Sequence, residues 1–365
     1  MRFITPSALL LLCSFALASA QSPAQTSAAI SRPEALTRAH AAAATLLTLY
    51  NRETGLFHTT GWWNSANAIT ALTDESRLAH DGAVPPILQN TFEAAPKRFP
   101  NFLNEFYDDE GWWALAWIDA YDLTHHKQYL RASELNFDDM AAGWDDHCGG
   151  GIWWKKDRHY KNAIANELFL DVAAKLALHT HRKQRARYLD LANREWTWFH
   201  ASGMINADSL VNDGLESSGP DNTCHNNGRT VWSYNQGVLL GGLASLSKAA
   251  KNPALLPAAG QIATAAITHL TDPQGILHDP CEPDCGEDGI QFKGIFARNL
   301  AQLDRAAPDP RFRQFLAANA QSLWSRARTP EDRFSTVWSG PPTSGNAGAQ
   351  TSALDALNAA AATTR

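Results

Sequence analysis

The sequence predicts an all-α protein in which six inner helices are enclosed by six outer helices, an (α/α)6 toroid. Two observations support this prediction. Apolar residues recur at helical spacing from Arg32 onward, with almost no alternating, strand-like runs. Helix-like segments rich in small residues also recur, with starts separated by 50, 50, 72, 58 and 57 residues. One further amphipathic helix fits between successive segments, and six such pairs fill the chain.

The predicted inner helices carry Gly, Ala, Asn and aromatic residues on most faces, which is typical of helices buried on all sides. They begin near Trp62, Trp112, Asn162, Tyr234, Phe292 and Ala349. The predicted outer helices carry Lys, Arg and Gln on one face and include Lys127–Met140, Arg182–Phe199, Pro253–Leu270 and Pro310–Arg326. No linker interrupts this rhythm, so residues 32–365 are predicted to form a single domain. A two-domain helical bundle is the alternative.

The composition excludes several classes of protein. With 19% charged and 44% hydrophobic residues, the chain is neither disordered nor embedded in a membrane. Its formal net charge is −6 and it has no long basic run, so we expect no nucleic-acid partner. We expect a monomer that has no association with a membrane after processing.

The N-terminus has the pattern of a secretory signal peptide. Residues 1–20 contain Arg2, then an apolar run, and end with a small-x-small site at Ala20. Residues 21–31 are predicted to be a flexible leader. The sequence therefore predicts cleavage after Ala20 and a secreted or periplasmic protein.

The four cysteines beyond the signal peptide predict two disulfide bonds, because an even number in an oxidising compartment favours pairing. Cys281 and Cys285 lie close together in a Pro-rich loop, which favours their pairing and leaves Cys148 with Cys224. Zinc binding by Cys281, Cys285 and His278 is the alternative, but the spacing matches zinc sites poorly. We therefore expect no metal and no cofactor.

Asp108 and Asp109 are the strongest catalytic candidates. They lie at the predicted N-terminus of the second inner helix, where free backbone N–H groups favour negative charge. Adjacent carboxylates repel each other, so one should keep its proton to a higher pH, as an acid and nucleophile pair requires. Ordinary helix capping is the competing explanation.

Three Gly-led aromatic pairs favour the catalytic explanation, because flat aromatic faces beside carboxylates suit a sugar ring. The pairs are Trp62-Trp63, Trp112-Trp113 and Trp153-Trp154. Adjacent residues on a helix point about 100° apart, so only one member of each pair can face a central cavity. Which member does so stays open at this point.

Further residues are predicted to bind the sugar. Asp145 and Asp146 lie in a Gly-rich loop and could accept hydrogen bonds from sugar hydroxyls. The remaining candidates are aromatic residues and amide or lysine side chains of the inner helices, and for each amide or lysine taken alone helix packing is the more common role. These candidates are Trp62, Trp112, Trp113, Trp153, Asn162, Asn166, Tyr234, Asn235, Gln236 and Lys293.

Together, these motifs resemble a known family. The run Tyr107-Asp108-Asp109-Glu110, followed by Trp112-Trp113-Ala114-Leu115-Ala116, resembles the double-aspartate signature of glycoside hydrolase family 76, the α-1,6-mannanases. The resemblance covers most of residues 35–360. It continues through Trp144-Asp145-Asp146, Cys148 to Trp154, Lys161 to Asn166, Tyr234 to Gly237 and Phe292 to Phe296.

The resemblance implies an (α/α)6 fold, in agreement with the repeat count, and retaining, endo-acting hydrolysis of α-1,6-mannosidic bonds in mannan or mannooligosaccharides. Asp108 would be the nucleophile and Asp109 the general acid/base, with the two carboxyl groups about 5–5.5 Å apart. The family also includes fungal transglycosidases. A transglycosidase, another toroidal glycosidase and a non-catalytic mannan-binding protein are therefore the alternatives.

Overall fold

The computed structural model describes Met1, residues 30–217 and residues 223–364. Twelve α-helices within these residues alternate along the chain between an inner and an outer ring. The inner helices are α2 (Trp62–Ala79), α4 (Tyr107–Thr124), α6 (Ala163–His179), α8 (Ser233–Ala250), α10 (Phe292–Ala306) and α12 (Ala347–Thr363). The outer helices are α1 (Arg32–Leu47), α3 (Pro85–Ala94), α5 (Lys127–Ala142), α7 (Arg182–Ala201), α9 (Leu256–His269) and α11 (Pro310–Arg326).

The inner ring is closed, because α12 packs against both α10 and α2 while every other inner helix packs against the inner helices before and after it. Outer helices cover this ring from outside, for example α5 on α4 and α7 on α6. The predicted (α/α)6 toroid is thus confirmed. The second inner helix begins at Tyr107, earlier than the predicted start at Trp112, and its first turn is acidic, which the helix dipole favours.

Glycines let the inner helices approach each other closely. A Cβ atom at Gly237 of α8 would lie 2.6 Å from the Cα atom of Phe296 on α10. A Cβ atom at Gly294 of α10 would lie 2.5 Å from the Cα atom of Ser352 on α12. Any larger residue at these two positions would push the inner helices apart.

The face of α4 that includes Asp108 runs from one end of the ring to the other. Asp108, Trp112, Leu115 and Asp119 follow one another at intervals of four, three and four residues, so they share this face. The N-terminal end of α4 therefore presents a carboxylate and an aromatic ring, and the C-terminal half presents a second carboxylate.

The described strands are short and form two antiparallel pairs. Strand β1 (Tyr50–Asn51) pairs with β2 (Leu56–Phe57), and β3 (Leu215–Ser217) pairs with β4 (Cys224–Asn226). None of the described helices is both long enough and apolar enough to cross a membrane. Apart from Met1, the predicted signal peptide lies outside the described residues, as does the predicted leader before residue 30.

Two disulfide bonds hold the loops that precede inner helices, and their pairing is the one that the cysteine spacing favours. Cys148 is bonded to Cys224, which joins the loop before α6 to strand β4. Cys281 is bonded to Cys285 in the loop before α10. The predicted disulfides are confirmed.

Candidate active site

The two adjacent carboxylates lie in the first turn of α4, where the backbone N–H groups have no partner within the helix. Asn104 organises the chain just before this turn. Its Oδ1 accepts a hydrogen bond from the Phe106 backbone N–H (2.8 Å), and its Nδ2 donates to Asp109 Oδ2 (2.5 Å). Asn104 therefore fixes both the start of the helix and the orientation of Asp109.

Trp154 holds the other carboxylate. Its indole Nε1 donates a hydrogen bond to Asp108 Oδ2 (3.0 Å), and its side chain is 37% exposed. The Trp154 backbone is fixed on both sides, because its carbonyl accepts from the Tyr107 N–H (3.0 Å) and its N–H donates to the Tyr160 carbonyl (2.8 Å). The loop before α6 thus places an aromatic ring directly beside Asp108.

Burial and mutual repulsion disfavour full ionisation of the pair. Burial, followed by the neighbouring Asp109 carboxylate, raises the pKa of Asp108 well above its usual value, while the hydrogen bond from Trp154 opposes the shift. Burial raises the pKa of Asp109 to about 7, and the hydrogen bond from Asn104 opposes this shift. Near neutral pH, one carboxyl group of the pair can therefore hold a proton while the other can ionise.

Aromatic rings form the facing wall. Trp63 is half-buried, stacks on Trp112 with ring centroids 5.5 Å apart, and donates its indole N–H to Asp288 Oδ1 (2.7 Å). Tyr234 stacks on Phe292 with centroids 3.7 Å apart and planes inclined by 7°. These rings give the site flat apolar faces with a third carboxylate, Asp288, at the rim.

The facing wall and the carboxylate pair lie close enough to interact electrostatically. The charge of Asp288 contributes to the raised pKa of Asp109. After burial and Asp213, the charge of Asp108 contributes to the raised pKa of Tyr234. We call the space between Asp108, Asp109, Trp63, Trp154 and Tyr234 the carboxylate cleft.

In the first two aromatic pairs, one member is packed away from this cleft. Trp62 and Trp113 are buried with ring centroids 4.7 Å apart, and both contact Phe102. Their predicted contact with substrate is corrected, because the rings are covered by other side chains. Trp63 faces the cleft in the first pair. Trp112 of the second pair is buried beneath Trp63, so its predicted contact with substrate is corrected as well.

In the third pair, Trp154 faces the cleft, whereas Trp153, the predicted sugar-binding residue, does not. Trp153 is buried, and its indole N–H donates to Asp145 Oδ2 (2.7 Å) inside the loop. Its predicted contact with substrate is corrected in favour of Trp154, whose ring is exposed beside Asp108.

Asp145 has a structural environment. The buried Lys161 ammonium lies 2.8 Å from Asp145 Oδ1 and also donates to the carbonyls of His147 and Gly150 (both 2.7 Å). Burial alone would raise the pKa of Asp145, but the hydrogen bonds from Lys161 and Trp153 lower it below the usual value. These bonds fix the Gly-rich loop, and the sugar contact of Asp145 stays a prediction.

Two predicted amides hold loops onto inner helices. Asn166 accepts from the Ile152 N–H (2.7 Å) and donates to its carbonyl (2.9 Å). Gln236 makes the same pair of bonds with Val211, at 2.8 and 2.9 Å. Because both ends of each amide are used within the protein, their predicted contact with substrate is corrected.

Two other predicted residues also have partners within the protein. Asn162 accepts a hydrogen bond from the Ala165 N–H and caps α6 (3.3 Å). Lys293 is buried and pairs with Glu282 at 2.6 Å. These two assignments are likewise corrected to helix capping and to anchoring of the loop that contains the second disulfide.

Three predicted residues have side-chain polar groups without a hydrogen-bond partner among the described residues. Asp146 is exposed on the Gly-rich loop, and Tyr234 lines the cleft. Asn235 is fully buried, and neither polar atom of its amide has a partner in the described part of the chain. They remain candidates for contact with substrate.

Besides Trp63 and Trp154, the second members of two aromatic pairs, the sequence analysis missed two residues that touch this site, Asn104 and Asp288. Asn104 lies just before the carboxylate pair, in the position of a residue that organises a helix start, and this signal was readable. Asp288 lies in the loop before α10. In a toroid this loop opens at the same end as the loop before α4, so the equivalence of the two loops could have indicated Asp288.

An inner ring of helices with paired carboxylates and aromatic walls at one end is the architecture of the (α/α)6 glycoside hydrolases. The sequence profile of glycosyl hydrolase family 76 matches residues 34–365. The chain belongs to this family.

Several curated relatives are fungal. Mannan endo-1,6-alpha-mannosidase DFG5 of Candida albicans is 27% identical over 289 residues, which cover 71% of this chain and 62% of that protein. A putative mannan endo-1,6-alpha-mannosidase of Schizosaccharomyces pombe is 30% identical over 222 residues, 56% of this chain and 48% of the relative. The chain thus matches less than two thirds of the length of these relatives.

Solved structures match nearly the whole toroid. An inactive variant of an alpha-1,6-mannanase of Salegentibacter sp. HEL1_6, with two consecutive aspartates replaced by asparagine and bound to alpha-1,6-mannotriose, has a TM-score of 0.80 at 25% identity. The match covers 90% of this chain and 99% of that chain. Dfg5 from Chaetomium thermophilum in complex with glucosamine has a TM-score of 0.79 at 23% identity, covering 93% and 92%.

Proposed function

We propose that the protein is an exported, endo-acting α-1,6-mannanase that cleaves mannan backbones with retention of anomeric configuration. The observation that carries this proposal is the Asp108–Asp109 pair, placed in a cleft with aromatic walls. Membership of family 76 and the names of the relatives support the choice of linkage. An inactive relative in which two consecutive aspartates are replaced supports the choice of catalytic residues.

Two carboxyl groups can perform the reaction in two steps. In the first, Asp109 gives its proton to the oxygen of the leaving chain while Asp108 attacks the anomeric carbon and forms a mannosyl-enzyme. In the second, the ionised Asp109 takes a proton from water, the water oxygen attacks the anomeric carbon, and Asp108 leaves as a carboxylate. A pKa of about 7 suits Asp109 to give a proton and then to take one.

Each of the two carboxyl groups has one hydrogen-bond donor beside it. Asn104 donates to Oδ2 of Asp109, so Oδ1 is the oxygen left to carry the proton toward the leaving group. The Trp154 N–H donates to Asp108 and stabilises its ionised form, which the attack on the anomeric carbon requires.

The aromatic rings beside the carboxylate pair supply the surface for the sugar chain. Trp154 is exposed beside Asp108, Trp63 is half-buried, and Tyr234 is half-buried and stacks on Phe292 at the start of α10. Flat rings pack against the apolar faces of sugars and leave the hydroxyls to the rim.

Export is part of the proposal. It rests on the signal-peptide pattern of residues 1–20, and the two disulfide bonds support it because disulfides persist in oxidising compartments. Detection of the processed protein in the medium or the periplasmic fraction tests this part. Retention of the uncleaved chain in the cytoplasm would contradict it.

Product analysis by NMR on unbranched α-1,6-mannan tests the reaction. We expect oligosaccharides of intermediate length to form first, with the new reducing ends initially in the α configuration. An initial β product would exclude the retaining mechanism, and release of single mannose units would exclude endo action. Products longer than the substrate would indicate a transglycosidase, and binding measured by calorimetry without any product would indicate a glycan-binding protein.

A further inference from the structure

The toroid has a second cavity at the end opposite the carboxylate cleft. Its volume is about 1170 Å³, and the C-terminal halves of the inner helices form its walls. Asp119 of α4 lines this cavity and lies on the same helix face as Asp108, about three turns further along the helix. We call this cavity the far chamber.

A layer of side chains lies between the far chamber and the cleft. The Arg298 guanidinium pairs with Asp355 (3.1 Å), donates to Asn67, and lies 5.7 Å from the centre of the Trp112 ring. Arg298 lines the far chamber, whereas Trp112 lies beneath the cleft aromatic Trp63. The two spaces therefore belong to opposite sides of one buried polar layer.

The far chamber has a different chemistry from the cleft. Among the described residues no Trp, Tyr or Phe lines it, so it offers no flat ring for a neutral sugar. Its deep walls carry charges that are paired with each other, such as Asp74 with Arg77 (2.9 Å) and Asp171 with Lys175 (3.3 Å). These pairs make a polar wall with little net charge.

The rim of the far chamber is cationic. Lys248 and Lys251 at the end of α8 and Arg305 at the end of α10 line the chamber. Within the described residues, no carboxylate lies within ion-pair distance of any of these three side chains. Cations at helix ends also complement the helix dipole, and this role alone would explain them if nothing else pointed to a ligand.

A buried amide supplies that second observation. Asn358 of α12 lines the chamber and is only 3% exposed. Its Nδ2 donates to the Ala71 carbonyl (2.9 Å), but its Oδ1 has no donor in the described part of the chain. A buried carbonyl oxygen without a donor is costly, and a hydroxyl group in the chamber would satisfy it.

We propose that the far chamber is a second binding site, which takes a small phosphate monoester that also carries hydroxyl groups, such as a sugar phosphate. The phosphate lies at the rim against Lys248, Lys251 and Arg305, and a hydroxyl donates to Asn358 Oδ1. The volume accommodates a phosphorylated mono- or disaccharide. Because the Arg298 layer separates the two spaces, this ligand and mannan bind at the same time.

Titration calorimetry at low ionic strength tests the proposal with mannose 6-phosphate, inorganic phosphate and mannose as separate probes. We expect mannose 6-phosphate to bind at least tenfold more tightly than inorganic phosphate, and mannose to give no signal from the chamber. Because mannose could enter the cleft, each titration is repeated with the cleft saturated by α-1,6-mannotriose in the D108N variant. Affinity for mannose 6-phosphate should not change.

The double variant Lys248→Ala with Arg305→Ala should weaken binding of mannose 6-phosphate at least tenfold. The control Lys127→Ala with Arg131→Ala removes the same charge from the exposed face of outer helix α5 and should leave binding unchanged. Lys251→Glu, at the exposed end of α8, gives a second test with little risk to folding. Turnover of α-1,6-mannan by each rim variant shows, independently of binding in the far chamber, whether the fold and the cleft are intact.

Three results would overturn the proposal. One is the absence of binding by either phosphate-bearing probe to the wild-type protein. Another is equal loss of binding in the rim variants and in the α5 control, which would mean a general effect of charge. The third is competition between mannose 6-phosphate and mannotriose, which would place the phosphate monoester in the cleft.

Discussion

The two ends of the toroid are lined by the same inner helices but have opposite chemistry. At the N-terminal end of the inner helices, Asp108 and Asp109 lie beside aromatic rings such as Trp154, whereas the far chamber is lined by ion pairs and cationic groups such as Lys248. The helix dipole accounts for part of the difference. Free N–H groups at the start of α4 favour carboxylates, and free carbonyls at the end of α8 favour cations.

The loops account for the rest of the difference. The loop before α6 contributes Trp154, and the loop before α10 contributes Asp288. Disulfide bonds hold both of these loops, at Cys148–Cys224 and Cys281–Cys285. The helix dipoles therefore make the two ends of the toroid favour opposite charges. The aromatic cleft forms at only one end because the rigid loops lie there.

The largest expected effect is at the carboxylate end. Asp108→Asn and Asp109→Asn should each lower the turnover of α-1,6-mannan by about 10³-fold or more, because each removes an acid, base or nucleophile from the reaction. The thermal midpoint should change little, since asparagine keeps the size of the side chain. Initial rates and thermal melts measure the two effects.

Asp208→Asn, on an exposed loop, is the matched control for these two variants and should retain full activity. If either Asp108→Asn or Asp109→Asn turned over mannan at the wild-type rate, the assignment of the catalytic pair would be wrong.

The next effect concerns the layer between the two ends. Arg298→Met leaves the buried Asp355 carboxyl without its partner and should lower the free energy of unfolding by about 3 kcal/mol at pH 8. Burial already raises the pKa of Asp355 to about 7 even though the Arg298 charge lowers it. Without Arg298 this pKa rises further. Urea unfolding between pH 5 and pH 9 measures the change.

The sign of the pH dependence follows from proton binding. Above pH 7, the folded variant keeps a proton on Asp355 that the unfolded chain has lost, so its stability continues to fall as the pH rises. Below pH 7, both folded proteins hold this proton, and the difference between them should shrink. The control Arg328→Met breaks the half-exposed pair with Asp332 and should cost less than about 1 kcal/mol. If the difference in the free energy of unfolding between the wild type and Arg298→Met grew toward acid pH, this account would be contradicted.

A smaller effect separates the two members of the third aromatic pair. Trp154→Phe keeps a ring in the cleft but removes the N–H donor to Asp108, and should lower kcat/KM about tenfold. Trp153→Phe removes the donor to Asp145 inside the loop and should lower the thermal midpoint while changing kcat/KM less. Steady-state kinetics and thermal melts of both variants measure the contrast. Equal kinetic losses would mean that both rings act on the cleft.

The smallest effect moves the pH profile. The hydrogen bond from Asn104 lowers the pKa of Asp109, so Asn104→Ala should raise that pKa. Asp109 then keeps its proton to higher pH, and the alkaline limb of kcat/KM should shift upward in pH. Rates measured from pH 5 to pH 10 give the limb. Asn193→Ala, on outer helix α7, is the control, and a downward shift in Asn104→Ala would contradict Asp109 as the acid.

Much of the fold and part of the site were predictable, because the relevant signals are local. The alternation of buried and amphipathic helices shows in the spacing of small and apolar residues, and ring closure buries the small-residue faces. The adjacency of Asp108 and Asp109 is itself a sequence feature. Disulfide pairing was also indicated, since Cys281 and Cys285 are only four residues apart.

The amino-acid sequence by itself determined the inner and outer rings and the carboxylate pair, because helical period and adjacency act over a few residues. Only the tertiary structure decided which Trp of each pair faces the cleft and which side-chain amides are hydrogen-bonded within the protein. Trp63 meets Asp288 across 225 residues, and Gln236 meets Val211 across 25. The burial of a ring and the pairing of an amide depend on groups that only the closed ring brings together.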